Sequence, residues 1–93
     1  MTKFEVVYAF KDGRTGKCHN ARTWPGYLQL HQSVIAALNK HGELEISTNG
    51  FSTRTTLSWL NLIIRKFGFQ EKVASRQGQL FISELPWMEA RYI

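Results

Sequence analysis

The chain has few of the residues that build covalent or catalytic frameworks. Cys18 is its only cysteine, so no internal disulfide can form, and a lone thiol lacks the short-spaced partner of a zinc or redox pair. Nothing at the start reads as a secretory signal, which together with the single thiol predicts a reducing, cytoplasmic location. Aliphatic runs such as Leu62-Ile63-Ile64 are far too short to span a bilayer, so no membrane role is expected. Gly13 and Gly16 are too isolated to cradle a phosphate. Acids are scarce as well: seven are spread along the chain, and Glu43 with Glu45 is their only close pair. That pair reads as a solvated strand edge rather than an acid–base couple. Cys18-His19 has no nucleophile–base context. The expectation is a protein that is not an enzyme and needs no cofactor or metal. Cys18, His19, His31 and His41 supply ligand types for zinc but lack its spacing.

What is present is an ordinary globular composition with a basic excess. The 93 residues are 43% hydrophobic and 20% charged, and twelve Lys and Arg stand against seven acids for a net charge of +5. This predicts one domain over residues 1–93 and favours an anionic partner, nucleic acid foremost. Aromatics make up 13% of the chain, three of them tryptophan.

Residues 3–10 alternate as a strand would, with Phe4, Val6, Tyr8 and Phe10 on one face, and Asp12-Gly13 suits a hairpin turn. A second, weakly patterned strand is expected through Lys17–Thr23. The basic stretch from Lys11 to Arg22 reads as a phosphate-meeting finger or a solvated loop. Trp24-Pro25-Gly26 is a turn. Tyr27, Leu30, Val34, Ile35, Ala37 and Leu38 then predict a helix over Tyr27–Lys40, ended by Gly42, with His31 on its apolar face as a satisfied core histidine. Leu44–Thr48 reads as a strand and Asn49-Gly50 as a tight turn.

The best-defined element is a helix over Ser52–Phe67, capped by Ser52 or Thr53 and closed by Gly68. Projected at about 100° per residue, Leu57, Leu60, Ile63, Ile64 and Phe67 form its core side. Arg54, Ser58, Asn61 and Arg65 fall opposite, within an arc of about 60°. All four side chains can donate hydrogen bonds, and two carry permanent positive charge. Trp59, Leu62 and Lys66 lie beside that stripe. Phe69–Ser75 and Leu80–Glu84 predict a hairpin about Gln77-Gly78, with Lys72 and Arg76 adding charge. The apolar tail after Pro86, from Trp87 to Ile93, is expected to pack on the sheet or to complete a homodimer.

The architecture predicted is α+β: an antiparallel sheet of about four to five strands with two helices packed on one face. Two functions suit these surfaces. In the first, Arg54, Ser58, Asn61 and Arg65 face DNA or RNA, and Lys66, Lys72 and Arg76 contact phosphate, with a helix-then-hairpin order like a wing beside a recognition helix. In the second, Trp59 and Leu62 join the arginines in a protein interface.

The run from Ile46 through Ser47-Thr48-Asn49-Gly50-Phe51-Ser52-Thr53-Arg54-Thr55-Thr56, with Leu60-Asn61, Phe67-Gly68 and the closing hairpin, resembles small phage-encoded proteins of unassigned function. The resemblance spans somewhat under half the chain. It implies a phage or prophage accessory protein acting inside a bacterial cell. Such proteins bind DNA or RNA, or act stoichiometrically on a host or nucleoprotein complex, as anti-CRISPR proteins and polymerase inhibitors do in host takeover and anti-defence.

Overall fold

The structure, a computed structural model, describes residues 1–48, 53–87 and 91–92. Two helices and two antiparallel sheets share one core. The order is α1 (Lys3–Lys11), β1 (Gly16–Cys18), β2 (Ala21–Trp24), β3 (Tyr27–Leu30), β4 (Ser33–Leu38), β5 (Leu44–Ile46), α2 (Arg54–Lys66), β6 (Val73–Arg76), β7 (Gln79–Ile82), β8 (Leu85–Pro86) and β9 (Arg91–Tyr92). The main sheet runs β1-β2-β3-β4-β5-β9 and the smaller one β6-β7-β8. This is the α+β class with two helices against one sheet face, although the elements are partly other than expected.

The segment expected to be the first strand is the first helix. Thr2 and Glu5 form a capping box: the Thr2 hydroxyl accepts from the Glu5 N–H, and Glu5 Oε1 accepts from the Thr2 N–H at 2.9 Å. At the other end Asp12-Gly13 is a helix stop rather than a hairpin. Gly13 takes φ +72, its N–H reaches Phe10 O, and Arg14 N–H reaches Ala9 O at 2.8 Å, the two bonds of a Schellman cap. Val6, Val7, Ala9 and Phe10 are buried on one side, while Phe4 and Tyr8 stay exposed.

The segment 27–40, expected to be a helix, is the β3–β4 hairpin. From β1 to β4 the chain folds back three times through two-residue loops, at His19-Asn20, Pro25-Gly26 and His31-Gln32. Gly26 at φ +96 after proline makes the second of these a type II turn. Alternation then buries Cys18, Ala21, Thr23, Leu28, Leu30, Ala36, Leu44 and Ile46 on the side of the helices. His31 is therefore not a core residue; it is exposed in a turn at φ +57. The single strand expected over 17–23 is likewise split into β1 and β2.

The later elements follow the sequence reading more closely. Thr53 caps α2 by accepting from Thr56 N–H at 3.2 Å. Gly68, at φ +86, closes it with a second Schellman pair, Gly68 N–H to Arg65 O and Phe69 N–H to Ile64 O. The hairpin turns at Gln77-Gly78 as expected, and a further tight turn at Ser83-Glu84 adds β8. The described part of the tail packs within the chain: Trp87 is 5% exposed, and β9 pairs with β5 in the main sheet. One apolar cluster joins α1, α2, the main sheet, Val73 and Ile82 of the small sheet, and Trp87. The Asn49-Gly50 turn and the Ser52 cap fall outside the described residues.

Candidate nucleic-acid interface

The four-residue stripe on α2 divides into two kinds of side chain. Arg54 and Arg65 are exposed, and neither takes part in an ion pair among the described residues. Ser58 is exposed and accepts from Lys3 Nζ at 2.9 Å. Asn61 is turned inward. Its Nδ2 donates to Val73 O at 3.0 Å, and its Oδ1 accepts from Val73 N–H at 2.8 Å. Both the nitrogen and the oxygen of the amide are engaged in holding β6 against α2, so Asn61 does not offer them to a base as a free pair. Arg54, Leu57, Ser58, Asn61 and Ser75 line the groove that results between α2 and β6.

The neighbouring cations are held to different degrees. Lys66, beside the stripe, lies over α1, its ammonium 5.0 Å from the Phe4 ring and 5.7 Å from that of Tyr8. Lys72 is exposed beside β6. Arg76 is exposed too, with Glu84 Oε1 at 3.4 Å and its guanidinium 5.7 Å from the Phe81 ring. An exposed pair at that distance is weak, so Arg76 can exchange Glu84 for a phosphate.

Trp59 and Leu62 are core residues. Each is 5% exposed. Lys3 caps Trp59, its Nζ 4.9 Å from the ring, and burial there lowers the Lys3 pKa from the ordinary 10.5. Among the apolar groups that do reach the surface are Phe4 and Tyr8, one turn apart on α1 and 50% and 44% exposed. The sequence hid them, because reading residues 3–10 as a strand turns both toward the core.

The remaining titratable groups are scattered. Cys18 is buried, His19, His31 and His41 are exposed, and no group of three His, Cys, Asp or Glu converges among the described residues. Glu43 accepts from Asn39 Nδ2 at 2.8 Å and staples the β4–β5 loop. No helix is long and apolar enough to cross a membrane among the described residues.

A second basic surface lies on the main sheet, away from both helices. Lys17 and Arg22 are direct cross-strand partners there, both exposed. The rings of Trp24 and Tyr27 stack next to them at 5.0 Å and 28°. The charge run from Lys11 to Arg22 signals the first pair. The second pair becomes visible only once Pro25-Gly26 is read as the turn that brings positions 24 and 27 into register.

A family model described as Kyanoviridae Gp96 protein matches residues 3–93. No curated protein and no solved structure matches the chain.

Proposed function

The chain belongs to the Kyanoviridae Gp96 protein family, a family of phage proteins, and on that premise we propose that it is a non-catalytic accessory protein that binds nucleic acid through the outer face of α2 and the β6–β7 hairpin. The observation that carries this reading is the placement of Arg54, Arg65, Lys72 and Arg76. All four are exposed around one helix–strand edge, with Glu84 the one acid in an ion pair with any of them among the described residues. Arg54 and Arg65 lie eleven residues apart on α2, about 16 Å along the axis, enough for separate phosphates of one backbone. With Asn61 held on Val73, the surface offers charge and a serine hydroxyl rather than a base-reading amide. Binding of this kind positions a backbone and carries little sequence preference.

The test is fluorescence anisotropy of a mixed-sequence duplex with the wild-type chain and with Arg54→Ala/Arg65→Ala. Both side chains lie outside the core, so the double variant folds and its affinity falls steeply. Unchanged affinity in a folded double variant would reject this surface.

A second reading is a small inhibitor of a host or defence complex. It is favoured by the exposed Phe4 and Tyr8, since large aromatics anchor protein interfaces. A host complex captured by the wild type and by Arg54→Ala/Arg65→Ala, but lost with Phe4→Ala/Tyr8→Ala, is the pattern that reading requires.

A further inference from the structure

Strand alternation puts Lys17, Arg22, Trp24, Tyr27, Gln29 and Val34 on the uncovered face of the main sheet. Two features of this face stand out. Lys17 and Arg22 are set directly opposite each other, where like charges repel, and neither is in an ion pair among the described residues. Next along β2 and β3, Trp24 and Tyr27 present a stacked ring pair, with Tyr27 37% exposed. The acid that shares this face in the described strands is Glu45 on β5, separated from Tyr27 by Ala37. A basic pair and an aromatic pair therefore adjoin with no acid between them.

We propose that this face is a binding surface for single-stranded nucleic acid. Lys17 and Arg22 hold backbone phosphate, and the Trp24–Tyr27 pair stacks an adjoining base. Phosphate explains why two cations are kept in register: a bound anion turns their repulsion into a shared attraction. Stacking selects the single strand. Its bases expose their faces to aromatic side chains, whereas those of a duplex are already covered by their neighbours. An acidic peptide would satisfy the cations but leave the rings unused. This goes beyond the α2 reading, because it places a second surface, with a different form of nucleic acid, on the opposite side of the sheet.

The probes are labelled oligothymidine and oligouridine of about 12 nucleotides, a length within the usual span of one such site. Trp59 and Trp87 are each 5% exposed, so quenching of tryptophan emission by unlabelled oligonucleotide reports on Trp24. Four results are expected. Lys17→Ala/Arg22→Ala weakens single-strand binding by about tenfold or more, with duplex binding unchanged and thermal stability no lower than wild type. Tyr27→Ala weakens the single strand similarly. Trp24→Phe abolishes the quenching, while Arg54→Ala/Arg65→Ala leaves single-strand binding in place. The proposal is overturned if the chain binds duplex but no single strand at low salt. It is equally overturned if single strands bind with undiminished affinity to Lys17→Ala/Arg22→Ala, or without any change in Trp24 emission.

Discussion

Asn61 bonds both backbone groups of Val73, and Val73 is 2% exposed. Asn61→Ala strips a buried N–H and C=O of their partner, a loss of about 1–3 kcal/mol. Urea denaturation should show that loss as a lower midpoint, while nucleic-acid affinity of the folded variant stays at the wild-type level. The opposite pattern, stable but non-binding, would return Asn61 to the interface. A helical projection places Asn61 correctly beside Arg65 yet says nothing of which strand will pack there, and that is why its role was not legible. Glu5 offers a second residue-level test. Its bond to the Thr2 N–H holds its pKa below the ordinary 4.5. A group whose folded pKa is lowered adds stability above its unfolded value and loses it as pH falls through the folded one. Wild type should therefore melt above Glu5→Ala at neutral pH, and the gap should close in acid. A gap independent of pH would mean that the carboxylate is not what caps α1.

Among the elements, α2 was legible because every local signal agrees. Its apolar side, its threonine cap and Gly68 all point to one helix. For α1 the signals conflict. Phe4, Val6, Tyr8 and Phe10 alternate by accident, and the Thr2–Glu5 capping spacing carried the better information. The β3–β4 hairpin was misread because Leu30, Val34 and Leu38 fall four apart, which mimics a helix, while its turn at His31-Gln32 has neither glycine nor asparagine. Tertiary packing of the inward row Leu28, Leu30 and Ala36 decides in favour of strands. Turn chemistry also yields a prediction. Ser83 and Glu84 adopt φ +49 and +71, a mirror-image turn that Asn-Gly fits better. Ser83→Asn/Glu84→Gly should raise stability by about 1 kcal/mol, from easier positive φ. It should also tighten nucleic-acid binding, since Arg76 loses its carboxylate partner. Weaker binding in this variant would argue that the hairpin takes no part.

At the scale of the molecule, the two helices cover one face of the main sheet and leave the other open, and both surfaces carry cations that are in no ion pair among the described residues. The α+β class, the +5 charge and the phage resemblance were all readable from the chain. The division of the basic residues was not, because it depends on which strands pair. Salt dependence joins these levels, since each phosphate engaged releases counterions and steepens the fall of affinity with salt. The most direct measurement is therefore anisotropy of mixed duplex DNA, single-stranded DNA and RNA across a salt series, for the wild type and for Arg54→Ala/Arg65→Ala. The account predicts that log affinity falls linearly with log salt, and that for duplex the slope becomes shallower by about 2 in the double variant. Absence of binding to all three nucleic acids at low salt would contradict it and turn the search to a protein partner at Phe4 and Tyr8.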